Sequence, residues 1–224
     1  SKSYTHVYKY NPEGIATGYT ENNNHSFQIN HSLSAKSFYE GNVFFSDTDY
    51  KNYLYADTLD QRYVNTDYIN TEPTTATFLF GGTQMGHTYR NSKSLGGKFD
   101  FTSQVSSNHE IKTGFSFRND NLVERNLTVL YDQNFDEPTV LAENKSPYHI
   151  FYDKDAVQYS AYIQDKMEYS SMIMNIGIRY DAFVPNDSTI ANLLYPEADQ
   201  KEAKIKTMVS PRVGVSLPIT DKGI

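Results

Sequence analysis

The sequence predicts an all-β fold, an antiparallel transmembrane β-barrel segment of about seven strands. Three observations predict it. Apolar and polar residues alternate with period two over stretches of 11 residues or more. Soluble strands are usually about 5–6 residues long, whereas a tilted membrane-crossing strand needs about 9–11. Short polar turns alternate with long hydrophilic excursions, as they do when tight turns close one end of a barrel and long loops the other. The polar faces also carry full charges, as a water-filled lumen would.

Residues 1–23 are rich in Tyr, Asn and Gly with little alternation, and read as loop. His25, Phe27, Ile29, His31 and Leu33 then share one strand face, against Ser26, Gln28, Asn30 and Ser32. After the turn Ser34-Ala35-Lys36, Tyr39, Gly41, Val43 and Phe45 alternate with Phe38, Glu40, Asn42 and Phe44. A long loop follows over 55–88.

The third strand sets Leu95, Gly97, Phe99, Phe101 and Val105 against Lys98, Asp100, Thr102 and Gln104. Past Ser106-Ser107-Asn108, Ile111, Thr113, Phe115 and Phe117 oppose Glu110, Lys112, Gly114, Ser116 and Arg118. The second long loop covers 119–155. Tyr159, Ala161, Ile163 and Met167 then alternate with Ser160, Tyr162, Gln164, Lys166 and Glu168. Beyond Ser170-Ser171, Met172, Met174, Ile176, Ile178 and Tyr180 alternate with Asn175, Gly177, Arg179 and Asp181. A third loop, 185–205, leads to Val209, Pro211, Val213, Val215 and Leu217 against Ser210, Arg212, Gly214 and Ser216, with a last turn at Thr220-Asp221-Lys222-Gly223. Pro211 argues against a central position, because proline cannot donate to a ladder and prefers edges or bulges.

Mean hydropathy is −0.63 and no run of 18 apolar residues occurs, which excludes a transmembrane helix but not a barrel. Nineteen Tyr and thirteen Phe with no Trp suit a membrane interface or ligand-binding loops. The absence of cysteine excludes disulfides and thiol chemistry. Ser1-Lys2-Ser3-Tyr4 is no signal-peptide core, so a barrel carrying it is expected to be a mature or internal piece. Seven is an odd count, and barrels close with an even one, so the strands are expected to belong to a larger barrel.

The net charge of −7 is concentrated in the loops. The first has Asp57, Asp60, Asp67 and Glu72 against Arg62, and the second has eight acids against Arg125, Lys145 and Lys154. Such loops argue against a nucleic-acid partner, which needs a basic footprint. They suit solubility, or attraction of cationic ligands.

No nucleophile elbow or phosphate loop is present, and no enzymatic activity or cofactor is expected. His25 and His31 share a face about 20 Å apart, too far for one ion, so no metal site is assigned. Asp47, Asp49, Asp57 and Asp60 lack the glycine and terminal glutamate of a calcium loop. Asp132, Asp136, Glu137, Asp153 and Asp155 likewise read as solvated carboxylates. Around the first long loop, Tyr50, Tyr53, Tyr55 and Tyr63, with Tyr68, are the candidate ligand-binding residues, since tyrosine rings stack on ligands. The competing expectation is an aromatic girdle with loop self-packing.

Several stretches resemble the β-barrel domain of TonB-dependent outer-membrane receptors, especially those of the Bacteroidota. They are Ala161-Tyr162-Ile163-Gln164-Asp165-Lys166, Ile176-Gly177-Ile178-Arg179-Tyr180-Asp181, and Ser210-Pro211-Arg212-Val213-Gly214-Val215-Ser216 running into Pro218-Ile219-Thr220-Asp221-Lys222-Gly223. Lys98 through Val105 and Glu110 through Gly114 are also similar. The resemblance implies a 22-stranded barrel in the bacterial outer membrane, with an N-terminal plug that these residues lack. All 224 residues would then be part of one barrel domain. It implies TonB-dependent uptake of a scarce or bulky nutrient, with outer-membrane lipid, the TonB complex and a surface lipoprotein among its partners. Two other readings stay open: a barrel scaffold for surface partners without transport, and a soluble all-β glycan-binding module.

Overall fold

The computed structural model describes residues 6–64, 78, 81–131, 137–191, 194 and 200–217. Asp67, Tyr68, Glu72, Asp132, Asp136 and the turn at Thr220–Gly223 lie outside the described residues.

Seven long strands form one antiparallel sheet: β1 (Thr17–Ser34), β2 (Ser37–Tyr53), β3 (Gly86–Gln104), β4 (His109–Thr128), β5 (His149–Tyr169), β6 (Met172–Asn186) and β9 (Lys206–Ser216). Their spatial order is their order in sequence. A small separate hairpin, β7 (Ser188–Ile190) and β8 (Gln200–Glu202), interrupts the last long connection. The strands are longer than the alternation predicted. β1 begins at Thr17 inside the stretch read as loop, and β4 and β5 extend to Thr128 and back to His149 through the predicted second loop. Polar residues on both faces conceal a strand from pattern reading, yet the backbone ladder continues through them.

The short turns are fixed locally. The Ser34 hydroxyl accepts from the Lys36 amide at 3.1 Å, and the Ser106 hydroxyl from the Asn108 amide at 3.3 Å. The β5–β6 register pairs Ser160 with Asp181, Tyr162 with Arg179 and Gln164 with Gly177. β6 then pairs Gly177 with Arg212 and Asn175 with Gly214. The polar residues therefore share one face and the apolar ones the other. Pro211 opposes Ile178 across the β6–β9 ladder.

The chain divides into two compact units. One holds Ser1–Asn23, Asp47–Ser92 and Leu122–Asp153; the other holds Asn24–Ser46, Lys93–Asn121 and Lys154–Ile224. The first has a small core of Tyr63, Leu127 and Val129, packed by Leu54, Tyr55, Met85, Tyr89 and Val140. Its N-terminal turns dock through Asn11, which donates to the Gly82 carbonyl at 2.6 Å. Gly82 has φ of 85°, a left-handed conformation that suits glycine.

The second unit is organised differently. Its apolar side chains are exposed, with Phe27 at 69% and Val213 at 72%, alongside Ile163, Ile178 and Val215. The buried side chains there are polar: Asp100, Thr102 and Ser160. An apolar face this large is foreign to a soluble monomer. A membrane barrel shows this inversion, with apolar residues toward lipid and polar residues inward.

Candidate functional site

The polar face of the second unit carries several hydrogen-bonded and ion-paired clusters. Tyr162 on β5 reaches across β4 to β3, where its hydroxyl donates to Asp100 Oδ1 at 2.6 Å. Lys98 pairs with the other Asp100 oxygen at 2.6 Å. The crossing is possible because Gly114 lies beneath the ring: a Cβ there would come within 2.5 Å of Tyr162 Cε1. Gly96 plays the same part for Phe44, whose Cζ would lie 2.5 Å from its Cβ. Alongside, Ser116 and Ser160 share a hydrogen bond, and Arg179 is held by Asp181 through Nε at 2.9 Å and Nη2 at 2.8 Å. Ser116, Ser160, Arg179 and Asp181 border a groove of about 510 Å³ that Lys98, Arg118 and Lys206 also line.

In the first unit a tight turn positions the loop tyrosines. Asp60 accepts from the Arg62 amide at 2.9 Å and from Arg62 Nη2 at 2.6 Å, closing the 3-10 turn Gln61–Tyr63. The Arg62 guanidinium holds the Asp60 carboxyl down at about 2 and lies over the Tyr55 ring at 3.9 Å. The turn delivers Tyr63 into the core, 1% exposed. Its hydroxyl meets His87 Nε2 at 2.7 Å and the Tyr55 amide at 2.9 Å, and burial raises its pKa. The other His87 nitrogen meets the Tyr89 hydroxyl at 2.9 Å.

Of the predicted ligand tyrosines, Tyr55 and Tyr63 pack edge to face at 4.9 Å. Tyr53 stacks with Tyr19 at 5.2 Å and with His87 at 5.8 Å. Tyr50, three residues from Tyr53 on the same strand, takes the opposite face. The structure therefore brings Tyr53, Tyr55 and Tyr63 together around His87 and leaves Tyr50 apart from them. On the opposite face of β3 to His87, Arg90 donates to Glu124 Oε2 at 2.7 Å, joined by Tyr152 at 2.9 Å and by Asn126 on Oε1 at 2.6 Å. Sequence reasoning missed His87, Glu124 and Tyr152 because they fell within stretches taken for loops, and Arg90 because it lay before the first alternating residue of the third strand. The two-residue spacing of His87 and Tyr89 was the available signal. His25 and His31 pack separately, on Phe45 and Tyr39. Among the described residues no group of three potential ligands could hold a metal ion.

Residues 2–222 match the family model of the TonB dependent receptor-like β-barrel. The chain belongs to that family. It is accordingly a protein of the bacterial outer membrane, in a family of receptors and transporters that work with TonB. No curated protein matches it in sequence. The structure is similar to that of the ferric citrate transporter FecA in its unliganded form, at TM-score 0.59 and 14% identity, over 91% of this chain and 26% of FecA. It is similar to the copper transporter OprC at 0.58 and 15%, over 93% of this chain and 30% of OprC. It is also similar to BauA, the ferric preacinetobactin receptor of Acinetobacter baumannii, at 0.54 and 12%, over 92% and 29%. At these identities the likeness establishes the fold, and the chain spans less than a third of each of these proteins. Membership of an outer-membrane family leaves the soluble glycan-binding module without support.

Proposed function

We propose that this chain is part of an outer-membrane receptor that takes up a scarce or bulky nutrient with energy supplied through TonB. The observation that carries the reading is the two-faced sheet of the second unit. Its apolar side chains are exposed while Asp100, Thr102 and Ser160 are buried. That is the wall of an aqueous lumen rather than of a packed core. All 224 residues belong to one barrel domain in this proposal, with the plug supplied elsewhere in the protein. No enzymatic role is proposed.

The long loops capture the ligand. Tyr50 and Tyr152, beside the Arg90–Glu124 pair, offer rings and hydrogen-bonding groups to it, while Tyr53, Tyr55 and Tyr63 hold the loop that frames it. Metal chelates are the first class to try, because the similar structures include transporters or receptors of ferric citrate, copper and ferric preacinetobactin. A surface lipoprotein that covers the loops is a further proposed partner.

The test is uptake. Cells expressing the intact protein are given labelled ferric chelates, copper complexes, corrinoids and oligosaccharides, with and without a working TonB system. Accumulation of one class that requires TonB is the expected result. Accumulation indifferent to TonB, or none from any class while the protein is folded in the outer membrane, would favour a scaffold and overturn the proposal.

A further inference from the structure

We infer that the lipid-facing side of β1–β4 carries a binding groove for one phospholipid acyl chain, opened by Gly97. Phe27, Ile29, Val43, Phe99 and Phe115 line a groove of about 360 Å³ in the second unit. Gly41 and Gly97 lie among them. All five apolar side chains belong to the face that alternation sets against the polar network.

The two kinds of strand glycine differ in cause. Gly96 and Gly114 are required by the fold, since the Phe44 and Tyr162 rings occupy the space where a Cβ would be. Gly97 has no such occupant. A Cβ there would meet only the Asn42 carbonyl oxygen at 3.4 Å and Val43 Cγ2 at 3.8 Å, ordinary contacts. An interior strand glycine weakens its strand and often marks the close approach of something else. The space left by Gly97 opens on the outer side, where the family places lipid.

Acyl chains are as apolar as the phenylalanines, so no hydrophobic difference favours one position along the wall over another. Packing decides. A chain in the groove touches rings on its flanks as well as the backbone beneath, which multiplies small dispersion contacts. The groove is also at a suitable depth. Lys36 is exposed in the short turn, five residues along β2 from Gly41. At about 3.4 Å per residue, along a strand tilted about 40°, that is roughly 13 Å of depth, approaching the middle of a hydrocarbon core of about 30 Å. A lipid whose phosphate meets Lys36 would therefore bring the far end of its chain to Gly41 and Gly97. His31 and Tyr39, 5.3 Å apart by ring centroid, lie between, as aromatics with polar tips do near an interface.

Native mass spectrometry of the intact protein, reconstituted with phosphatidylethanolamine and phosphatidylglycerol and then delipidated stepwise in mild detergent, tests this. One phospholipid should remain on the wild type after the rest are removed. Gly97→Leu fills the groove and should cut the retained fraction at least fivefold, and Gly97→Ala at least twofold, both with unchanged heat-modifiable migration. If Gly97→Leu fails to fold, Gly97→Ala alone decides. A wild type that retains no lipid, or variants that retain it equally, overturns the inference. A dimer sensitive to Gly97 with no bound lipid also overturns it, in favour of a second copy of the chain. None of these outcomes bears on transport.

Discussion

Gly114→Ala should be costly because of one ring. The new methyl would overlap Tyr162 Cε1 at 2.5 Å, collide with Asp100 Oδ1 and approach the Phe99 carbonyl oxygen at 3.0 Å. The strand backbone is fixed by ladders on both sides, so the ring must move and its hydrogen bond to Asp100 is lost. Overpacking of this kind costs about 1–3 kcal/mol. Losing a hydrogen bond to an ionised acceptor costs about 1.5–3 kcal/mol. The two events are coupled rather than additive, and Lys98 still pairs with Asp100, so the total should be about 2–4 kcal/mol. Urea unfolding of the intact protein in detergent micelles, read by heat-modifiable migration, measures it. A Tyr162→Ala background supplies the control: the contacts with Asp100 Oδ1 and the Phe99 carbonyl remain there, but without the ring Gly114→Ala should cost at least about 1 kcal/mol less. Equal cost in both backgrounds would refute the mechanism. Gly97→Ala, one strand away and on the other face, should be neutral or stabilising by up to about 1 kcal/mol, since nothing occupies its Cβ position.

Tyr63→Phe should free the first loop. It leaves a buried His87 nitrogen and the Tyr55 amide without their partner, at about 1–3 kcal/mol. Hydrogen exchange over residues 54–64 should quicken while that of β5 and β6 does not, and an unchanged loop would count against the role given to Tyr63. The turn that carries Tyr63 should also depend on pH. Asp60 has a folded-state pKa lowered to about 2 by Arg62, so its contribution is complete above the ordinary carboxylate range near 3.8 and is lost as pH falls through about 2. Proteolysis at 54–64 with an acid-tolerant protease should therefore increase only below about pH 4, and Asp60→Asn should abolish that dependence.

Much of the second unit was legible in the sequence. Lys98, Asp100, Gly114, Ser116, Tyr162, Arg179 and Asp181 were all placed on the polar face by period-two counting, and the β5–β6 register agrees. The alternating long and short connections were legible too, because turns such as Ser34-Ala35-Lys36 have their own local hydrogen bonds. The first unit was less so. Thr17–Asn23, Gly86–Ser92 and Leu122–Thr128 are strand, yet outside the apolar environment a strand keeps no alternation to read. His87, Arg90, Glu124 and Tyr152 went unseen for that reason.

The sequence by itself determined the class of fold, the number of long strands and which side chains share a face, since all three follow from the two-residue repeat of a pleated backbone. It could not determine which residues meet across strands that are not neighbours in sequence. Tyr162 lies over Gly114 to reach Asp100, Tyr63 closes on His87, and Gly97 is left with open space while Gly96, on the other face, lies under Phe44. Those differences arise from register and the reach of individual rings, and only the assembled sheet fixes both.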